Sequence, residues 1–160
     1  MSFPDDALVL EPGEGTAISY RHGGAIVFKA RGAETEGRYA LLELTLPPGA
    51  AGAPLHRHRD EAEAFYALAG AFAFQLGTDR RELSAGGFVL VPKGTAHTFW
   101  NAGSGDARCL VIVSPAGLER YFDELSALIT SSPSGEPAAE QYRALCEKYG
   151  QELVEPTDSS

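Results

Sequence analysis

Residues 54–70, "PLHRHRDEAEAFYALAG", set His56 and His58 on either side of Arg57. They then pass through Asp60, Glu61 and Glu63 into an apolar stretch that holds Phe65 and Tyr66. The chain has only four histidines, so two of them in one short segment is a concentration of imidazole. Read as a strand over 62–69, alternate side chains share a face. Glu63, Phe65 and Ala67 then look one way, with Glu63 at the mouth of that face, five residues after His58. A His-x-His pair alone is weak evidence for a metal, and a surface run of mixed charge is the plain alternative.

The stretch "PKGTAHTFWN", residues 92–101, supplies what the first one lacks. Here His97 opens another predicted strand, with Phe99 and Asn101 on its side and Trp100 on the other. Three of the four histidines therefore stand at turn–strand junctions with a carboxylate nearby. Three neutral imidazoles and one carboxylate, without thiolate, suit Fe(II), Mn(II), Ni(II), Co(II) or Zn(II).

Outward from these segments the chain reads as short apolar runs: "TAISYR", "AIVFKA", "RYALLELTL", "EAFYALA", "AFAFQL", "GFVLVP", "AHTFW" and "RCLVIV". Turn material separates them, including "RHGG" around His22, "PPGAAGAP" and "NAGSGD", and "DRRE" (79–82) reads as a charged hairpin tip. Many closely spaced short strands predict an antiparallel sandwich or barrel over residues 1–114. The N-terminal stretches "ALVLEP" and "TAISYR" would leave open sheet edges, which predicts a homodimer. After residue 114 the spacing turns helical, with Leu118, Tyr121, Phe122, Leu125, Leu128 and Ile129 on one stripe. "AAEQYRALCEKYGQEL" predicts a second helix ending near Gly150, so residues 115–155 are expected to cover the barrel rather than form a separate domain.

One domain of 160 residues can bury a core without staples. A net charge of -9 argues against nucleic acid and anionic membranes as partners, because phosphate binding needs a basic face. Cys109, in a predicted strand, and Cys146, in a predicted helix, lie far apart and read as core residues. The N-terminal "MSFPDDALVLEPG" lacks the basic start and apolar run of a leader. No stretch approaches the ~18 apolar residues of a membrane span. The expectation is a soluble, cytoplasmic protein.

Taken together, the two histidine segments resemble the cupin family. Its first motif is read here as Gly49, His56-x-His58, four residues, Glu63, six residues, Gly70; its second as Gly86, five residues, Pro92-x-Gly94-x-x-His97, three residues, Asn101. The second fits throughout. In the first, Gly49 stands one residue too far from His56, at a position that shapes a loop and not the ligand set. The resemblance implies an all-β jelly-roll barrel (a double-stranded β-helix) with two C-terminal α-helices. It also implies one divalent transition metal per chain held by His56, His58, Glu63 and His97.

"ELTLPPG", "EAFYALAG" and "SPAGLERYFDEL" look like the single-domain bacterial cupins related to quercetin 2,3-dioxygenase. That implies a dioxygenase acting on an enol-bearing aromatic or similar small molecule, with Glu63 as the catalytic base. A non-redox isomerase and a metabolite-binding or sensory cupin are the alternatives, since one fold hosts many chemistries. Phe65, Phe72, Phe74, Phe99 and Tyr39 are candidate walls of a substrate pocket. Asn101 is expected to support a turn, and Asp60 and Glu61 to face water.

Overall fold

The computed structural model describes residues 4–155, so the first three residues of the stretch read for a leader, and of the predicted barrel unit, lie outside it. Its strands are β1 (Thr16–Ser19), β2 (Ala25–Ala30), β3 (Ala40–Leu46), β4 (His56–His58), β5 (Ala62–Ala69), β6 (Phe72–Leu76), β7 (Asp79–Leu83), β8 (Phe88–Val91), β9 (His97–Asn101), β10 (Ala107–Ser114) and β11 (Gln151–Leu153). Two helices, α1 (Glu119–Ser131) and α2 (Ala139–Lys148), lie between β10 and β11. One sheet runs β1-β2-β3-β10-β5-β8 and the other β11-β4-β9-β6-β7, with antiparallel pairing throughout. This is the jelly-roll arrangement expected, with both helices at the C-terminal end.

The period of two builds the core. Along β3, Ala40, Leu42, Leu44 and Leu46 are buried while Leu41, Glu43 and Thr45 are only half-buried. Along β10, Ala107, Cys109, Val111 and Val113 point inward in the same way, and the register sets Cys109 against Leu44 and Val111 against Leu42. Each large apolar side chain so buried contributes roughly 1.5–3 kcal/mol. Cys109 and Cys146 are both buried and unpaired.

Helix α1 lays its stripe on the barrel: Tyr121, Phe122, Leu125 and Ile129 are buried, Leu118 is buried just before it, and Leu128 is half-buried. Its first turn is pinned by Glu119, whose carboxylate accepts hydrogen bonds from Gly32 N (2.8 Å) and Gly117 N (2.7 Å). Arg31 adds a two-pronged bridge to Asp123 at 2.7 and 2.8 Å.

Several expectations are corrected. "DRRE" is not a hairpin tip but most of β7, an edge strand held to β6 by backbone pairing with every one of those four side chains exposed. "ALVLEP" forms no strand, and the sheet edge begins at β1. The second helix does end near Gly150, which takes φ +70°, but the residues after it add an unexpected strand, β11, paired with β4. His22 sits in a turn at φ 54°, as expected, with its N–H bonded to Glu136 Oε1 at 2.6 Å. No helix among the described residues is long and apolar enough to cross a membrane.

Candidate metal centre

Three strands and one bridge bring the site together. His56 and His58 face inward from β4 with Arg57 exposed between them, as strand alternation requires. His97, the first residue of β9, stands opposite His56 in the β4–β9 register. Glu63 faces inward from β5. The loop before His97 turns at Gly94 (φ +80°), whose N–H bonds to His58 O at 2.8 Å and so ties the second motif to the first. His56, His58, Glu63 and His97 are all buried, and their ligand atoms lie within 4.8 Å of one another.

Hydrogen bonding fixes which nitrogens face inward. His56 Nδ1 lies 2.7 Å from Pro54 O and His97 Nδ1 lies 2.9 Å from Thr95 O. A carbonyl only accepts, so both rings carry their proton on Nδ1 and turn the other nitrogen inward. His56 Nε2 is 3.1 Å from His58 Nε2, and Glu63 Oε2 is 2.8 Å from His97 Nε2 and 3.2 Å from His58 Nε2. Lone pairs crowded this closely need protons or a cation among them. Three imidazoles, one carboxylate and no thiolate fit a divalent transition metal, and the second hydrogen bond on each ring is the usual way of orienting such ligands.

Electrostatics agrees with that donor set. Burial first, then the neighbouring His97, pulls the pKa of His56 down to about 3, leaving its ring neutral and its lone pair available. Burial opposes ionisation of Glu63, but His58 and His97 outweigh it and hold its pKa well below the usual carboxylate range. For His58, burial pulls downward while the Glu63 charge and hydrogen bond push the pKa up.

Glu61 overturns an expectation. It does not face water: its side chain is 12% exposed and its Oε2 lies 3.7 Å from His58 Nδ1. Both atoms are buried without a hydrogen-bond partner, and burial raises the pKa of Glu61. The carboxylate thus stands behind a ligand ring, where a small shift would let it accept the Nδ1 proton.

Beside the four residues lies a cavity of about 30 Å³. Its walls include Phe65 and Phe99 of the barrel and Leu118, Tyr121 and Phe122 from the α1 end of the chain. Two other proposed wall residues lie elsewhere. Phe72 and Phe74 are fully buried in a layer behind the cavity, Phe74 at 5.1 Å from Phe65 and 5.7 Å from Phe99 between ring centres. Tyr39 is excluded outright: it is 41% exposed on the outside of the barrel, because the residue before the inward Ala40 must point outward. Gln151 of β11 is a cavity residue that the sequence did not reveal. Asn101 does support a turn, bonding to Leu46 O, Gly105 O and Gly103 N, but at the far end of β9 from His97.

Comparison with known proteins bears on both fold and site. Residues 42–113 match the family model described as Cupin domain. The "Probable oxidoreductase virH" of Hypocrea virens is 33% identical over 100 residues, a match covering 57% of this chain and 46% of that protein, so the chain spans about half of its relative. KdgF from Halomonas sp. superposes with a TM-score of 0.61 at 22% identity, covering 69% of this chain and 96% of that one. A predicted oxalate decarboxylase from Thermotoga maritima gives 0.60 at 24% identity, covering 67% and 98%. A sugar phosphate isomerase of Silicibacter pomeroyi gives 0.58 at 18% identity, covering 66% and 74%. At these identities the structures speak for the fold alone. Residues 42–113, a little under half of the chain, are thus similar to the cupin domain, and the structural neighbours share its fold.

Proposed function

We propose that the protein is a metal-dependent oxidoreductase of the dioxygenase type, acting on a small enol-bearing molecule. The observation that carries this reading is the meeting of a buried His₃Glu cluster with a small, mostly apolar cavity. A divalent transition metal held by His56, His58, Glu63 and His97 would supply Lewis acidity toward an enol hydroxyl and, if redox-active, a path for electrons to dioxygen. Glu63, ionised and facing the cavity, accepts the enol proton. Phe65, Phe99 and Phe122 exclude water from the electron-rich anion, and both oxygen atoms end in the product without an external reductant. The similarity to a probable oxidoreductase points the same way.

Size refines the substrate. A water needs about 10–15 Å³ of such volume, so 30 Å³ holds about two small occupants. An octahedral metal with four protein ligands leaves two positions. So small a cavity favours small enols over a flavonol. A sugar phosphate is disfavoured, since among the described residues no Lys or Arg lines the cavity to meet its charge. Oxygen-electrode assays on protein loaded in turn with Fe(II), Mn(II), Co(II) and Ni(II) test this. Uptake with acetylacetone, and slower uptake with quercetin, is expected; no uptake with any metal and either enol would overturn the reading.

We also propose that two copies pair through the outer face of β5, β8 and β10. Tyr66, Phe88, Leu90 and Ile112 are 46%, 58%, 57% and 42% exposed there. The register makes them neighbours: Tyr66 opposes Phe88, and Ala64 opposes both Leu90 and Ile112. Strand β8 is also a sheet edge, and grouped apolar exposure of this kind marks interaction surfaces. Light scattering at micromolar concentration should give a dimer, and Phe88→Glu a monomer. A monomeric parent protein rules the pairing out.

A further inference from the structure

We propose that Gln151 is a substrate-orienting residue, donating a hydrogen bond from its amide to an oxygen of the molecule bound beside the metal. The inference rests on the metal-centre reading above and adds a specificity determinant from outside residues 42–113, the segment that matches the cupin domain model.

Position comes from pairing. Gln151 stands directly opposite His58 in the antiparallel β11–β4 register, so the two side chains share the inward face. Backbone bonds on either side hold it there: Arg59 N–H to Gly150 O and Val154 N–H to Leu55 O, both 2.9 Å. The sharp turn at Gly150 brings the chain back from α2 onto the strand that carries two of the three imidazoles.

The side chain itself points to a ligand. Gln151 is 4% exposed and lines the same cavity as His56, His58 and Glu63. Its Nε2 is buried and has no hydrogen-bond partner among the described residues. Buried amides without partners are rare in native proteins, and each asks for an acceptor. Near it the ionic groups are those of the metal cluster, and much of the remaining wall is aliphatic or aromatic: Ile26, Leu42, Leu44, Phe65 and Phe99. The wall also carries the Tyr20 and Tyr121 hydroxyls, but neither bonds to Nε2, so the amide is free to donate to an oxygen of a bound molecule. The amide is uncharged, so it suits a neutral or singly charged oxygen, as in an enolate, an α-hydroxy ketone or a hydroxamate. A phosphate would call for a cation. The ligand class is thus a small chelating oxygen compound, one oxygen beside the metal ligands and one toward Gln151.

The test uses the full-length protein loaded with Co(II), whose visible absorption reports both metal and ligand, and acetohydroxamate as the probe. In Gln151→Leu, Co(II) affinity should stay within about twofold. Acetohydroxamate affinity should fall about tenfold, the effect of losing one hydrogen bond to a charged oxygen. Gln151→Glu should weaken binding further, by setting a carboxylate against the anion. Glu152→Ala, an outward-facing neighbour, should change neither. Unaltered acetohydroxamate binding in a cobalt-loaded Gln151→Leu protein overturns the assignment while leaving the metal centre intact. Failure of the parent protein to take up Co(II) removes the metal centre and this inference with it. If Gln151→Leu loses cobalt, Gln151→Met repeats the measurement at nearly the same side-chain length. Loss of cobalt in both would assign Gln151 a purely structural role and also overturn the proposal.

Discussion

His97→Ala is expected to abolish stoichiometric metal binding, leaving less than about a tenth of an equivalent after dialysis against micromolar Co(II) or Zn(II). His97 is fully buried, opens β9, and is paired in register with His56, so the strand pairing holds its imidazole in the cluster. Its loss takes one of three imidazoles and also the 2.8 Å partner of Glu63, whose charge then sits deeper in deficit. Disturbing groups that merely orient metal ligands typically costs 10–100-fold in affinity, so removing a ligand should exceed ~100-fold. A second readout is thermal. Ligand at about a thousand times its dissociation constant stabilises a fold by ~4 kcal/mol. In a chain of this length that is a rise of roughly 10 °C in Tm. The parent protein should show the rise and His97→Ala should not. A full equivalent of metal in elemental analysis of the variant would remove His97 from the ligand set.

Glu63→Gln separates holding the metal from doing chemistry. The amide keeps the size and a weak ligand oxygen but loses the charge that His58 and His97 stabilise. Metal affinity is expected to drop ~10–100-fold, the three imidazoles still retaining the ion when it is supplied in excess. If Glu63 accepts the enol proton, turnover at saturating metal should fall by a further ~10²–10⁴. Metal content and oxygen uptake measured on the same sample distinguish the two losses. A fully metallated Glu63→Gln enzyme with undiminished oxygen uptake would assign proton transfer to another group.

The residues that could be read in advance are those whose spacing carries the information. Alternation along β5 told Glu63 and Phe65 from Tyr66, and the paired motifs grouped four ligands that lie on three different strands. What escaped has physical reasons. Strand β4 is three residues long and polar, too short to show a period, and owes its existence to pairing with β9 and β11. β7 has no buried face because it is an edge, so its charges looked like a turn. β11 follows a helical pattern without a break in hydrophobicity, and only Gly150 marks the reversal. Because β11 was missed, Gln151 was missed too. Glu61 was placed in water because the four-residue gap selects Glu63, but the loop after His58 folds it back against that ring. Tyr39 was legible after all: its parity relative to Leu42 and Leu44 already sends it outward.

The seating of Leu118, Tyr121 and Phe122 against the cavity has a bearing on time rather than affinity. If an ion reaches His56, His58 and Glu63 from the α1 side, those side chains must lift, and exposing each costs roughly 1.5–3 kcal/mol. The sum, about 6 kcal/mol, corresponds to an open fraction near ~10⁻⁴. Departure of a bound ion then waits on a rare opening, however weakly the ion is held. Replacement of one metal by another along the Irving–Williams order would then be slower than at an open site. The placement of α1 thus bears on how fast an ion would be exchanged, not only on what fits beside it.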